Sequence, residues 1–333
     1  MPHKDDGYFY VSQSKENNWL TCRLQYHFRH HMHLKPKIKA RSLQFGSIAH
    51  KMLEASANGG DDKKVLADIV KTNRKLFDEE VEMYGRIGDD MSYIMRAYKK
   101  YWAKDPIKYV KWNGRNAEHP FEVELTSEIK VKGKIDALAR MKGFKWLVEH
   151  KTHKEFPNDN HRWKNLQSAV YLRILQMLGV KDIEGTLWDY VRSKPPTRPQ
   201  MLKAGNLSER QIDSLPEVVI DTIKENGLDP KDYEAFIQSQ NPASWFQRVY
   251  TPIKPTVVKN VFREFITVAR EMADWYDKNP DGRPTRSIGK HCDWCAFEGI
   301  CRAELQGNDV DFLLSREFVV DKSDYQEDPV NAG

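Results

Sequence analysis

Four cysteines constrain this chain more than any other feature. Cys292, Cys295 and Cys301 stand in HCDWCAFEGIC with spacing C-x2-C-x5-C, and Cys22 lies some 270 residues upstream. Four thiolates suit either tetrahedral zinc or a cubane iron–sulfur cluster. Either would tie distant parts of the chain together. The opening MPHKDD has no apolar core and reads as no signal peptide. In a reducing cytosol such cysteines point to metal rather than disulfides.

The 333 residues suffice for one large domain or two small ones. No apolar run approaches the length of a membrane span. Net charge is only +5, but its distribution is uneven. Between Asn18 and Leu53 there is no acidic residue, while Arg23, Arg29, Lys35, Lys37, Lys39 and Arg41 fall in that stretch. An unopposed basic segment suggests a polyanion partner. His27, His30, His31 and His33 are too tightly spaced for a tetrahedral metal pattern and read as surface residues.

Periodicity predicts helices over 41–57, 63–104 (interrupted near Gly85 and Gly88), 162–178, 208–226 and 255–279. Alternation predicts strands near 108–113, 119–127, 130–139, 144–150, 183–192 and 244–252. That order implies an α/β fold with a mixed central β-sheet flanked by helices. Four regions are expected: a basic segment, 1–40, with the first cysteine; a core, 41–200, with a helical insert at about 58–105; a helical region, 201–303, ending in the cysteine triplet; and a tail, 304–333, whose acidic end frays. The P-loop signature is absent, which excludes a nucleotide motor of that type.

In 131–151, VKGKIDALARMKGFKWLVEHK, Lys142-Gly143 separates two strand-like runs and predicts a two-residue hairpin turn. Met141 then pairs with Phe144, and Asp136 falls opposite Glu149. Facing residues have Cβ atoms about 4.5–5.5 Å apart, where two carboxylates repel. A divalent cation between them relieves the repulsion. Lys151 points to the same face as Glu149. Asp136, Glu149 and Lys151 together suit metal-assisted phosphodiester hydrolysis, with magnesium or manganese on the carboxylates and the ammonium steadying developing negative charge.

Other groups aim at the same place. Gly46, His50 and Glu54 share a helix face, with Gly46 permitting close approach and His50 available as a ligand. Gln167 and Tyr171 are i and i+4 on the next helix, with Lys164 one turn earlier. Such a face can bond phosphate and stack on a base.

Taken in order, these residues resemble the PD-(D/E)XK nuclease superfamily, in its RecB-like, iron–sulfur branch of AddB-type recombination nucleases and CRISPR-adaptation exonucleases, which includes stand-alone phage members. GSIAH resembles the Gly-x-x-x-His motif with His50 as ligand. GKID ends in Asp136, EHK supplies Glu149 and Lys151, and QSAVY resembles Gln-x-x-x-Tyr. Cys22 with the later triplet resembles the cluster signature, although Arg23 stands where many relatives have proline, and His150 where many have an apolar residue. The resemblance implies a metal-dependent DNA exonuclease acting from single-stranded ends. The metal would be Mg2+ or Mn2+ on His50, Asp136, Glu149 and the His150 backbone carbonyl. A 4Fe–4S cluster on Cys22, Cys292, Cys295 and Cys301 would clamp the N- and C-terminal segments. It further implies a cytoplasmic protein of a bacterial or phage-infected cell, with DNA and a recombination or helicase protein as partners and no membrane. The alternative is a nuclease-fold DNA-binding subunit with structural zinc or iron–sulfur and little activity of its own.

Overall fold

The computed structural model describes residues 4, 5, 7–73, 84–280 and 282–321. It opens with β1 (Lys4–Asp5) and β2 (Tyr8–Val11), then α1 (Gln13–Thr21) and α2 (Arg23–Tyr26), which runs into a π-helical turn at His27–His31. β3 (Leu34–Pro36), α3 (Arg41–Ala57), α4 (Asp62–Asn73) and α5 (Ile87–Tyr101) follow. Next come β4 (Ala117–Thr126), β5 (Ile129–Met141), β6 (Phe144–His153), α6 (Asp159–Arg162), α7 (Gln167–Met177) and β7 (Ile183–Arg192). The chain continues through α8 (Pro216–Glu225), α9 (Glu234–Ser239), β8 (Phe246–Pro252), α10 (Pro255–Lys278), α11 (Glu298–Leu305), α12 (Val310–Glu317) and β9 (Phe318–Val320).

The central sheet is mixed, with β2–β5 and β6–β7 parallel and the other pairs antiparallel. One face carries Leu138 and Leu147 against Val170, Ile174 and Leu175 of α7 and Phe265 and Met272 of α10. The other carries Trp146, Val148 and Leu187, with α3 and α5 layered beyond. The alternation of β6 produces this split, since successive side chains point to opposite faces. The absent side chain of Gly46 lets α3 lie close to β6, because a Cβ there would stand 3.2 Å from Thr152 Oγ1.

The expected hairpin is present: Lys142 and Gly143 both adopt positive φ, 53° and 85°, and Met141 pairs with Phe144. Two positive-φ residues give a primed turn whose twist matches the strands. The predicted elements at 41–57, 183–192 and 255–279 also form, within a residue of their expected ends. Residues 108–113 form no continuous strand. Tyr109 makes one isolated bridge to Ala139, and a tight turn at Asn113 and Gly114 folds Trp112 back onto Arg115. The helix expected from 208 begins only at Pro216, whose ring holds Leu215 extended before the first turn. The helix expected over 162–178 is short α6 followed by α7 from Gln167. Part of the predicted 63–104 helix, and the acidic end of the tail, lie outside the described residues. No helix among the described residues is long and apolar enough to cross a membrane.

The N-terminal basic segment is built into the fold. β2 lies against the start of β5 and β3 pairs antiparallel with β9. Phe318 of β9 stacks on Phe297, whose ring in turn meets Phe28 at a tilt.

Candidate active site

The site grows from a fork in the sheet. Ala137 pairs with both Ala117 and Val148, while Val131 pairs with both Val123 and Val11. β2 and β6 therefore share one edge of β5, and residues 132–136 have no strand partner there among the described residues. Asp136 sits at the apex of this gap. The register expected for the hairpin holds as far as Ala137↔Val148; beyond it the strands part. Asp136 Oδ2 then accepts the backbone N–H of His150 at 2.8 Å, so a side chain replaces the missing ladder partner.

Glu149 and Lys151 lie on the α7 face of β6, joined by a 2.5 Å Nζ–Oε1 contact. Glu149 is 2% exposed, and its Oε2 has no hydrogen-bond partner. Burial pushes its carboxyl above the usual range; Lys151 pulls it down and Asp136 pushes it up again. Burial disfavours the Lys151 ammonium, but Glu149 and Asp136 outweigh it and hold its pKa above the ordinary lysine value. A buried carboxylate oxygen without a donor is costly. A divalent cation within reach would satisfy it.

His50, from α3, reaches the fork. Its Nδ1 lies 3.7 Å from Asp136 Oδ1 and 3.6 Å from Glu118 Oε1. Burial disfavours its protonated form, but the two carboxylates raise its pKa above normal. Ligand atoms of His50, Glu118 and Asp136 all lie within 4.8 Å of one another. One imidazole and carboxylate oxygens at that spacing fit a manganese- or magnesium-type ion.

Glu118 was missed in the sequence. It precedes the stretch that alternates as a strand, and it stands at φ 55°, an uncommon conformation for a residue with a side chain. Its neighbours pair as Ala117↔Ala137 and His119↔Ile135, which puts Glu118 opposite Asp136. Burial raises its pKa, but His50 and Lys134 more than compensate and hold it below the usual value. Only the pairing of β4 with β5 brings it in, and no local pattern encodes that register.

His150 turns its side chain to the opposite face from Glu149. Its Nδ1 lies 2.9 Å from Asp189 Oδ2 on β7. Asp189 is fully buried and also accepts from Tyr98 at 2.5 Å and from Arg248 at 3.0 Å. Burial alone would raise its pKa; His150, Arg248 and Tyr98 reverse the direction and keep it ionised. The network fixes β6 from behind, directly beneath Glu149 and Lys151.

On α7, Tyr171 is 7% exposed and packs edge-on to Phe121, so its ring is core rather than the stacking surface expected of it. Its hydroxyl is held in the neutral form, first by burial and then by nearby Glu149. Gln167 hydrogen-bonds Tyr171, and Lys164 is exposed in the turn before α7. The exposed aromatic of this region is Trp163, at 68%. It follows Arg162, which hydrogen-bonds Tyr190, the strand neighbour of Lys151.

The four cysteines line one cavity of about 170 Å3 with Leu24, Phe28 and Phe297. Cys22 Sγ accepts from the Ser287 backbone N–H at 3.4 Å, and Cys301 Sγ from Arg286 at 3.6 Å. Burial pushes the Cys295 thiol up, a Phe297 backbone hydrogen bond pulls it down, and the other three cysteines push it up again. Among the described residues, no three of the four sulfurs lie within 4.8 Å of one another.

Two expectations for the N-terminal segment are corrected. His27 is buried, not on the surface, and stacks on His31 at 4.5 Å, which stacks on Tyr276 at 5.6 Å. Three of the six basic residues are opposed: Arg23 pairs with Glu271, Lys35 with Asp321 and Arg41 with Asp90. The acids arrive from distant segments, so their absence within 18–53 says nothing of the folded surface.

A sequence model of the PD-(D/E)XK nuclease superfamily matches residues 10–302. No curated protein matches the chain. Among solved structures, the crystal structure of SSO0001 aligns with 90% of this chain and 88% of its own, at 11% identity and a TM-score of 0.30. The family match spans the fork, its carboxylates and the cysteine cavity alike, and by it the chain belongs to the PD-(D/E)XK nuclease superfamily.

Proposed function

We propose that this protein is a metal-dependent DNA exonuclease that works from single-stranded ends and carries a structural 4Fe–4S cluster. The observation that carries the catalytic reading is the buried Glu149 carboxylate, with one oxygen on Lys151 and the other unpartnered, beside Asp136 and His50. Asp136, Glu149, His50 and the His150 carbonyl are the proposed ligands, and Glu118 joins them. A divalent ion bound there supplies Lewis acidity toward the phosphate and lowers the pKa of water.

The chain's own groups do the rest. The Lys151 ammonium, charged and held by Glu149, faces the position where negative charge develops and donates hydrogen bonds to it. Gln167 offers an amide to the scissile strand. Trp163 and Lys164 present an exposed ring and an ammonium at the edge of the site, which suits an unpaired base and its phosphate.

The support for a cluster is that all four cysteines line one cavity, a donor set that suits a cubane of iron and sulfur as well as tetrahedral zinc. The colour of the purified protein separates the two, since a cluster is brown and zinc is colourless. The cavity is remote in sequence from the fork, and hydrolysis transfers no electrons, so the proposed role is structural. A recombination or helicase protein in the cytoplasm is the proposed partner.

The test is digestion of end-labelled linear single-stranded DNA beside a covalently closed single-stranded circle, with Mg2+ or Mn2+. Linear-only cleavage is expected, with Mn2+ at least as effective as Mg2+. Efficient cutting of the circle overturns the exonuclease reading. Failure to cut either substrate overturns the nuclease reading.

A further inference from the structure

We infer that the groove between α7 and α10 is a second binding track for the phosphate backbone of DNA, away from the reacting bond. The groove holds about 660 Å3 and is lined by Arg173 from α7 and by Lys259, Phe262, Arg263, Thr267 and Arg270 from α10. No carboxylate lines it among the described residues. Its four basic residues are exposed. Lys259, Arg263 and Arg270 carry no ion pair among the described residues, in contrast to Arg23, Lys35 and Arg41.

Lys259 and Arg263 are i and i+4 on one helix, where like charges destabilise it. A fold that keeps this repulsion unrelieved presents a field suited to a polyanion. Lys259 to Arg270 spans roughly 16 Å along the α10 axis, room for several phosphates. The floor is apolar, and Arg173 stands over the Phe262 ring at 6.0 Å. Aromatic and cationic groups in one furrow match a single strand. α7 links the groove to the site, since Gln167 at its first turn lies roughly 9 Å along the axis from Arg173. A strand cut at the fork can therefore continue over the start of α7 into the groove. The inference rests on the reading of the chain as a DNA nuclease.

The experiment compares wild-type protein with the R173Q/K259Q/R263Q/R270Q variant, full length and cluster-loaded. Binding of 30-nucleotide and 6-nucleotide single strands is followed by fluorescence anisotropy across a salt series without divalent metal. Hydrolysis of the 6-mer is followed with Mn2+. The variant is expected to bind the 30-mer at least tenfold more weakly, with a salt slope shallower by about 3 for four lost charges. Its melting temperature and 6-mer hydrolysis should match wild type. The K259Q/R263Q variant, changed only at exposed side chains, should lower the slope by about 1.4. An unchanged 30-mer slope in that double variant overturns the inference while leaving the nuclease reading intact. Equal losses on both lengths overturn it too, because the residues then act at the site itself. Retained DNA binding with loss of polyglutamate binding assigns the groove to an acidic protein and also overturns it. Wild-type protein that neither binds nor cuts DNA overturns both readings together.

Discussion

The backbone N–H of His150 donates to Asp136 Oδ2 at 2.8 Å, across the point where β5 and β6 part. The bond orients one carboxylate of the site by the strand that carries the other, so the two cannot drift independently. Asp136→Ala removes a proposed ligand and this tether together; Glu149→Ala removes a proposed ligand and the partner of Lys151. Each should lower turnover at least ~100-fold, as loss of one preorganised electrostatic group does, while DNA binding persists. Lys151→Ala should lower turnover similarly without loss of metal binding by calorimetry. Near-wild-type turnover in either carboxylate variant would remove these residues from the site.

Glu118 gives a separate check on the ligand set. Glu118→Gln keeps the shape and left-handed backbone but removes a charge beside His50. Mn2+ affinity should fall about 10- to 100-fold, the range for groups that support a metal site. Titration calorimetry reads this directly. Unchanged affinity would make Glu118 a partner of His50 and Lys134 alone, each 3.6 Å away.

The Asp189 network predicts a stability effect without a change of ligands. Arg248 is 4% exposed at its side chain and pairs with a fully buried carboxylate. Arg248→Met leaves Asp189 short of a partner and should cost about 3–5 kcal/mol by urea unfolding. A loss below 1 kcal/mol would show that His150 and Tyr98 suffice.

His27 predicts a pH dependence. Its pKa is lowered from 6.5 to about 4, first by burial and then by the positive charge of His31 and Arg283. The unfolded chain takes up a proton near 6.5 while the folded chain resists until about 4. Stability is therefore whole above pH 6.5, declines as pH falls through the interval, and levels off below about 4. Melting temperatures of His27→Gln should fall less steeply over that interval than those of wild type. Parallel curves would reject the assignment.

Cys295→Ser should give colourless protein with a lower melting temperature. The ends should nonetheless stay together, because β3–β9 pairing, the Lys35–Asp321 ion pair and the Phe28–Phe297–Phe318 ring contacts need no metal. Hydrogen exchange at residues 34–36 measures this. Loss of protection there would make the cluster, not the strands, the clamp.

Much of the site was legible because it is local. The Lys142-Gly143 turn fixes the register of ten flanking residues, Ala137–Met141 against Phe144–Val148, which carries Asp136 and Glu149 to the point where the two strands part. What was hidden depends on long-range pairing. The parallel contact of β2 with β5 follows from no neighbouring pattern, yet it makes the fork. Glu118 enters through β4, Asp189 through β7, and the acids that neutralise Arg41, Arg23 and Lys35 stand 49, 248 and 286 positions away. Tyr171 illustrates the converse: helical spacing placed it on the right face, but spacing does not reveal that the core closes over its ring.

The β3–β9 pairing also sets an order of events during synthesis. β3 leaves the ribosome some 280 residues before its partner, an interval of roughly 15–60 s at 5–20 residues per second. The sheet of β2, β4, β5 and β6 can assemble within that time, whereas Leu34, Phe28 and the unpaired edge of β3 must wait. A nascent chain arrested after β7 would expose that edge beside the lone thiol of Cys22. It is at this stage that a chaperone has its opening.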